Sequence, residues 1–574
     1  MSDHLKDQQT GLLRPKAVGG SLWLTAVVFV TAAVVLLYLP LLRAFSENKI
    51  SSTYPDALEF IWSTWRLEGV LTGEKQLYYS TELFAPKGSS LLLHTICEGV
   101  LIPITAILSG LDPIWRYNIS LCVVSLLSGW AALSLFRSLG CSYLAAALAS
   151  TTVIYSPWII GHLHAGHLNF VGVFALIEAI RGMIVRSGLR YSLAITLLCF
   201  TNLYYLYFAA LLLPAFILFA GITRNGCAAA GKLLMSFIIG LLPAAAHLTD
   251  IARLARLGSY SPDHNPAKHA ADLLALLVPS PVQSIGARQF IVDLRNSVPL
   301  HIGESSLYIG SAVTVAALLA CGLGTKKTTL MARFFSIVSL FFCILSLGPL
   351  ISWRGSPVIA NPLDYAARLV LPLYPSVPAR FAGVASLMAI AAGCQLLNKF
   401  QTKRVRLVGY SLFIMAALEF LPTELKVYPL PIPSPTLEYL AHDKNASLVV
   451  DLSASPQYAM LRQTVHGKPI ATGFLSRRPR YAERDLNRNH FIRQMRGEAG
   501  INLNAALSDW CMLSANRLIL ELPTAQVHHE DLSALGFTLV SSDPYVALFA
   551  TDADICPHSP SGPQKGSRDT LPAL

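Results

Sequence analysis

The stretch that decides the fold is the apolar run GSLWLTAVVFVTAAVVLLYLPLL, residues 20–42. It carries no charge and exceeds the roughly 20 residues that a helix needs to cross a bilayer. It is too long for a cleavable signal sequence, and no small-residue cleavage site follows, so it predicts a retained first membrane span. Lys6, Arg14 and Lys16 precede it and favour a cytoplasmic N-terminus.

Composition indicates a membrane protein. Of the 574 residues, 53% are hydrophobic and only 13% are charged, and the mean hydropathy is +0.51. Soluble domains usually carry about 25% charged residues, so most of this surface must face lipid. The net charge of +11 arises largely in short loops between apolar runs, as the positive-inside rule predicts, and does not indicate a nucleic-acid partner.

Further apolar runs up to residue 422 predict about 11 transmembrane helices in all. They lie at 117–136, 141–160, 168–185, 191–222, 232–247, 305–323, 331–351, 382–398 and 406–422. The run 191–222 is too long for one span and is interrupted at Asn202, so it predicts two short helices. The run 98–112 is short and contains Glu98 and Pro103, and we expect it to be re-entrant or to lie along the outer leaflet.

Basic clusters assign the loops to sides of the membrane. The cytoplasmic clusters are Arg181, Arg186 and Arg190; Arg224 and Lys232; Lys326, Lys327 and Arg333; and Lys399, Lys403, Arg404 and Arg406. The alternate loops, 161–167, 248–304, 352–381 and everything after 422, are then external. The predicted domains are a cytoplasmic tail (1–19), a transmembrane domain (20–422) with a first external loop (45–116), an extracytoplasmic domain (423–556) and a disordered tail (557–574).

The region after residue 422 regains ordinary polarity. Segments 446–452, Arg517–Glu521 and 545–549 are predicted strands, with helices between them, so we expect a small α/β domain. Cys511 and Cys556 lie in this region and would be able to pair outside the cytoplasm.

The first external segment, residues 53–66, reads TYPDALEFIWSTWR. It predicts a helix with Pro55 in its first turn, whose aromatic residues suit a position along the membrane surface. Asp56 then stands at the helix N-terminus, where the helix dipole favours a carboxylate. The simpler alternative is that Asp56 only caps the helix.

The overall plan resembles the GT-C class of glycosyltransferases: a cytoplasmic N-terminus, one span, a long external loop with an early acidic residue, then many spans. Strings similar to uncharacterised bacterial members of that class lie at 54–62, 161–169, 201–205 and 377–381. The resemblance implies a polyprenyl-phosphate sugar donor used at the outer face. The class often has an acidic pair in the first loop, whereas here Asp56 is followed by Glu59 one turn later. Histidines occupy the loop where some members carry a second acidic motif, so a divalent metal is an open question.

Such a transfer requires two kinds of chemical group at the outer face of the membrane. A base must deprotonate the acceptor hydroxyl, and cationic or hydrogen-bonding groups must stabilise the phosphate leaving group. Asp56 is the candidate base. Arg380, at the outer start of a predicted span, suits a lipid phosphate; its alternative role is snorkelling to lipid headgroups.

The remaining candidate site residues are polar groups that the same topology places outside. His162, His164 and His167 would bind a metal or a phosphate, or would be unrelated residues of a turn. Glu98 is costly inside an apolar run unless partnered, and we expect it to face the same cavity as His94. Further substrate-binding candidates in or next to the matching strings are Glu59, Arg66, Asn169, Tyr204 and Tyr205.

The soluble region adds a basic segment. Gln463 and His466 are followed by seven arginines between Arg477 and Arg496. Facing the membrane, these groups would hold anionic lipid or a lipid pyrophosphate acceptor; otherwise they form a solvated helix face.

The sequence thus predicts a bacterial inner-membrane glycosyltransferase that transfers a hexose or a pentose to a glycan or lipid-linked acceptor. A transporter or lipid-linked sugar flippase, and a non-catalytic membrane assembly protein, are the alternatives. A polar outer cavity containing Asp56 favours the enzyme, a continuous pathway favours transport, and a filled bundle favours assembly.

Overall fold

The computed structural model describes residues 20–44, 47, 49–52, 54–222, 226–260, 265–296, 307–370, 376–453, 455–497, 503–551 and 555–556. It divides into two compact units. The first comprises Met1–Glu68, Thr95–Arg253 and Pro262–Leu430, and the second comprises Gly69–His94, Leu254–Ser261 and Pro431–Leu574. The predicted tails, 1–19 and 557–574, lie outside the described residues. The second unit includes part of the predicted first external loop, Gly69–His94, as well as the C-terminal region.

Helices dominate the chain up to Leu430. They are α1 (Gly20–Arg43), α2 (Asp56–Leu71), α3 (Glu98–Ile107), α4 (Pro113–Ser138), α5 (Tyr143–Ile154), α6 (Pro157–Ala165), α7 (Leu168–Val171), α8 (Phe174–Val185), α9 (Gly188–Thr201), α10 (Leu203–Ile222), α11 (Gly226–Leu241), α12 (Ala245–Arg256), α13 (Gln289–Asn296), α14 (Ser311–Leu323), α15 (Lys326–Ser346), α16 (Pro362–Val370), α17 (Ala382–Gly393) and α18 (Lys403–Glu419). Short strands accompany them: β1 (Lys49–Ile50), β2 (Tyr79–Ser80), β3 (Ser89–Ser90), β4 (Leu350–Trp353), β5 (Ser356–Ala360) and β6 (Tyr428–Pro429). Single 3-10 turns cover Leu242–Ala244, Leu273–Leu276, Pro378–Phe381 and Cys394–Leu397.

Seven helical stretches of the described chain are long and apolar enough to cross a membrane, so this is an integral membrane protein. They are Ser21–Arg43, Pro113–Ser138, Leu168–Val185, Leu203–Ala220, Ala228–Arg256, Lys326–Ser346 and Pro378–Leu397. The helices α5 and α6 make an eighth if their 42° bend belongs to one broken span.

The predicted count of about 11 spans is not confirmed, because several apolar runs form helices that are too short. Both α9 and α14 have fewer than 18 residues, and α18 has 17. The run 98–112 forms only the ten residues of α3, about 15 Å of helix, half the thickness of a hydrocarbon core. That α3 is re-entrant or lies along the outer leaflet stays a prediction.

The predicted break at Asn202 is confirmed. This residue has extended backbone angles and separates α9 from α10. Its side-chain oxygen accepts a hydrogen bond from the Tyr204 backbone (2.9 Å), and its amide donates to the Asn169 carbonyl (2.9 Å). These bonds satisfy backbone groups that the interruption would otherwise leave bare inside the membrane, and they tie α10 to α7.

The second unit contains a four-stranded sheet. Its strands are β7 (Val449–Asp451), β8 (Arg517–Glu521), β9 (Phe537–Ser542) and β10 (Val546–Thr551), in the order β7-β8-β10-β9. Only the β7–β8 pair is parallel. The helices around it are α19 (Pro435–His442), α20 (Pro456–His466), α21 (Arg480–Arg488), α22 (His490–Met495), α23 (Leu503–Leu513) and α24 (Leu522–Ala534).

Three of these strands form at the predicted segments, whereas β9 was not anticipated because half of it is polar. The core of the unit contains a cluster of aromatic rings: those of Phe491, Trp510 and Phe537 lie 4.8–5.3 Å apart. A disulfide joins Cys511 to Cys556, across a separation of 45 residues.

Candidate functional site

Helix α2 presents a carboxylate at its first residue. The backbone of Leu58 donates to the Pro55 carbonyl (2.9 Å), so the helix begins as the sequence predicts, with Asp56 at its N-terminus. The side chain of Asp56 is 33% exposed, whereas Ala57 and Leu58 are buried. Asp56 is thus the residue of this turn that a substrate can reach.

Two histidines from a distant part of the chain support this carboxylate. His167 Nε2 lies 2.8 Å from Asp56 Oδ2, and His167 Nδ1 lies 2.7 Å from His162 Nδ1. With an ionised Asp56 and neutral rings, the two bonds admit one tautomer for each ring. His162 Nδ1–H donates to His167, and His167 Nε2–H donates to Asp56. Both histidines are buried, so the chain of bonds fixes the orientation of the carboxylate.

Gly166 makes this contact geometrically feasible. It ends α6 with a φ of +80°, in the left-handed region that favours glycine. A Cβ placed there would lie 2.8 Å from the backbone nitrogen and the Cβ of Ala57. The turn between α6 and α7 can therefore touch the first turn of α2 only because residue 166 has no side chain, and this contact brings His167 to Asp56.

An aromatic residue that sequence reasoning missed, Phe170, links the histidines to Arg380. Its ring stacks on His162 at 4.6 Å between centroids, and the Arg380 guanidinium carbon lies 4.6 Å from its centroid. The same guanidinium lies 4.5 Å from the Tyr204 ring. Phe170 directly follows the 161–169 string, and a search for aromatics beside the histidines would have found it. The structure thus brings Asp56, both histidines, Tyr204 and Arg380 into one continuous cluster.

Two further predicted residues support the cluster by hydrogen bonds. The Tyr205 hydroxyl donates to the Phe170 carbonyl and also accepts from Trp158 Nε1 (3.4 Å). The Asn169 carbonyl accepts from Asn202. The side chains of Asn169 and Tyr205 are buried, and the Tyr205 hydroxyl and the Asn202 amide hold the backbone around Phe170.

His162 and His167 contact each other, whereas the binding of a metal or a phosphate by the three histidines stays a prediction. His162 and His164 lie two residues apart on α6 and therefore point to nearly opposite sides of the helix. Within the described residues, no group of three His, Cys, Asp or Glu side chains is placed to hold one metal ion. The residues of the cluster thus do not fit a bound divalent metal.

Two further charged residues of α2 that the sequence nominated, Glu59 and Arg66, are buried. Glu59 is 7% exposed and lies one turn beyond Asp56. Arg66 is 3% exposed, and its guanidinium lies 5.9 Å from the Trp62 ring. Ten residues separate Arg66 from Asp56, about 15 Å along the helix axis, so Arg66 stands apart from the histidine pair.

The remaining candidates are distributed over the two units. Glu98 begins α3 in the first unit, whereas His94, Gln463 and His466 belong to the second. His94 Nδ1 lies 3.1 Å from the Ser476 hydroxyl, and Gln463 donates to two backbone carbonyls. Burial lowers the pKa of His466 to about 3, aided by nearby positive charge. Their predicted roles in binding substrate stay predictions.

Comparison with known proteins identifies the fold. No protein-family model and no curated protein matches the sequence. Among solved structures, the arabinofuranosyltransferase AftD from mycobacteria matches over 94% of this chain and 42% of its own, with 12% identity and a TM-score of 0.55. The Archaeoglobus fulgidus oligosaccharyltransferase matches over 94% and 75%, with 10% identity and a TM-score of 0.48. ArnT from Cupriavidus metallidurans, solved with undecaprenyl phosphate, matches over 95% and 100%, with 10% identity and a TM-score of 0.45.

These neighbours are GT-C glycosyltransferases. The likeness to AftD shows that this chain has the GT-C fold, as the sequence resemblance predicts. The chain spans less than half the length of AftD, and at 12% identity the likeness concerns the fold alone.

Proposed function

We propose that this protein is a GT-C glycosyltransferase that moves a sugar from a polyprenyl-phosphate donor to an acceptor hydroxyl at the outer face of the membrane. The observation that carries the proposal is a single partly exposed carboxylate, Asp56, held by a buried histidine pair in one cluster with Arg380. Structural neighbours that include a complex with undecaprenyl phosphate support a lipid-linked donor. The acceptor is a glycan or a lipid-linked glycan.

Asp56, and not His167, is the general base. Both ring nitrogens of His167 are engaged, one by Asp56 and one by His162, and its side chain is only 9% exposed. Within the described part of the chain, the bond from His167 is the single side-chain hydrogen bond to Asp56. The other carboxylate oxygen, Oδ1, is therefore available to accept the proton of the acceptor hydroxyl, which then attacks the anomeric carbon of the sugar.

Arg380 stabilises the departing phosphate. Its guanidinium carbon lies 4.6 Å from the Phe170 ring and 4.5 Å from the Tyr204 ring, and these cation–π contacts hold the positive charge in the cluster. A guanidinium group suits the planar, bidentate recognition of a phosphate. The base then acts on the acceptor hydroxyl and the cation on the phosphate, at opposite ends of the reacting sugar.

The test is Asp56→Asn. Asparagine caps a helix as well as aspartate does, so the variant should insert and fold normally. Because general base catalysis is typically worth about 10²–10⁴-fold, transfer should fall by that factor. The assay follows radiolabel from a set of polyprenyl-phosphate donors, each with one hexose or pentose, in membranes from cells carrying each form.

Asp112→Asn is the matched control. Asp112 caps α4 by accepting from the Ile114 backbone (2.7 Å), and it belongs to the same unit. It tests the same chemical change where the carboxylate is only a helix cap, and it should leave transfer unchanged. If Asp56→Asn transfers sugar as well as Asp112→Asn does, Asp56 is a cap and the proposed base is wrong.

A further inference from the structure

The segment between the helix α15 and the span that begins at Pro378 has an unusual surface. Strands β4 and β5 form an antiparallel hairpin, and α16 follows directly. Asp272 holds the hairpin turn, because its carboxylate accepts from the backbones of Arg354 (3.2 Å) and Gly355 (2.9 Å). The hairpin therefore has a defined turn, which these hydrogen bonds hold in place.

The hairpin exposes apolar side chains. All five residues of β5 are exposed, including Val358 at 65% and Ile359 at 62%. Trp353, next to the turn, is 41% exposed. An exposed edge strand with large apolar residues promotes aggregation in water, and soluble proteins protect such edges with charged residues. The surface of β5 is therefore suited to an apolar environment.

Helix α16 buries an acidic side chain and exposes apolar ones. The side chain of Asp364 is only 1% exposed and pairs with Arg368 (2.5 Å), whereas Tyr365 is 66% exposed and Leu369 is 70% exposed. A surface helix of a soluble protein turns its apolar stripe inward and its charges outward. Here the buried side chain is the acidic Asp364, with Arg368 partly exposed beside it, while large apolar residues are exposed, and this pattern suits a helix that contacts lipid.

We propose that β4, β5 and α16, the hairpin–helix insert, lie in the membrane interface with their exposed apolar residues among the lipid acyl chains. Apolar spans bound the insert on both sides: one ends at Ser346, shortly before β4, and the next begins at Pro378. The lipid around these two spans is therefore close to both ends of the insert. Trp353 and Tyr365 suit the headgroup level, and the exposed Arg354 at the turn suits anionic headgroups. This proposal does not depend on the proposed function.

The test measures the surroundings of single side chains in the full-length protein, reconstituted into phosphatidylcholine vesicles. A fluorescent non-natural amino acid replaces Val358 in one sample and Leu369 in another. Leu340 on α15, which is 61% exposed within a span, is the lipid-facing reference. Glu530, exposed on α24, is the water-facing reference. All four sites are exposed, so the label should not disturb folding.

Each sample is quenched by lipids brominated in the acyl chain and, separately, by aqueous iodide. We expect positions 358 and 369 to match Leu340, with strong quenching by brominated lipid and severalfold weaker iodide quenching than at Glu530. Iodide quenching equal to that at Glu530 would place the insert in water and overturn the proposal. Protection from both quenchers would also overturn it, because a protein surface and not lipid would then cover the insert.

Discussion

Replacing Gly166 by alanine tests the packing that brings His167 to Asp56. Two separable costs are expected. Alanine in the left-handed region costs roughly 1–2 kcal/mol, because φ at this position is +80°. The added Cβ would lie 2.8 Å from two atoms of Ala57, whereas carbon atoms in contact prefer about 3.5–4.0 Å. Overpacking of this kind costs about 1–3 kcal/mol.

The contact can relax only if the turn at Gly166 or the start of α2 moves. Either movement separates His167 from Asp56, which now lie 2.8 Å apart. Misplacement of a catalytic group by about 1 Å can cost about 10²-fold in rate, so we expect transfer to fall by roughly 10- to 100-fold. The thermal midpoint, followed by tryptophan fluorescence in detergent, should fall as well.

Gly110→Ala separates the two costs. Gly110 belongs to the same unit and has a φ of +82°, but a Cβ there meets nothing within 4 Å. This variant should lose stability through backbone strain alone and keep its transfer rate. If Gly166→Ala matches Gly110→Ala in both thermal midpoint and transfer rate, the close approach at Ala57 does not position the site, and the reasoning is refuted.

Three further predictions concern single side chains. His162→Phe keeps a ring to stack on Phe170 but leaves the buried His167 Nδ1 acceptor without its donor, which costs about 1–3 kcal/mol. We expect kcat to fall by about 10- to 100-fold with an unchanged donor KM. An unchanged kcat would contradict the positioning role of His162. Arg380→Lys keeps the charge but loses the guanidinium group that contacts both rings. Steady-state kinetics should therefore show kcat/KM for the donor lowered by about tenfold, or roughly 1.4 kcal/mol, and an unchanged kcat/KM would remove Arg380 from the site. Burial lowers the pKa of His466 to about 3 in the folded state. As the pH falls below about 6.5, the unfolded state therefore takes up a proton before the folded state does. The second unit should therefore lose up to about 1.4 kcal/mol per pH unit between about pH 6.5 and 3, seen as a lower urea midpoint of unfolding at pH 5 than at pH 7. His466→Gln should abolish most of that difference, and an equal pH effect in both forms would contradict it.

Local patterns in the sequence determined the membrane class and several boundaries. The run 20–42 forms the helix α1, because a segment of this length and apolarity is stable as a helix that crosses the bilayer. Pro55 and Asn202 mark a helix start and a helix break, because proline and asparagine act on the backbone nearest to them. The predicted span count is not confirmed, for a related reason. Apolarity alone does not say where a helix ends, so the short α9, α14 and α18 were counted as full spans.

Only the tertiary structure decided the candidate site. Asp56 and His167 are 111 residues apart in the chain, and no local pattern states that they meet. Their contact depends on the close approach of Gly166 to α2, which is a property of two packed elements. The sequence named the three histidines together, but the turn of α6 separates His164 from the pair, and packing alone selected Phe170 as their link to Arg380. Chain-local forces set where helices begin and break, whereas the position of a side chain against a distant partner follows from close packing of the whole unit.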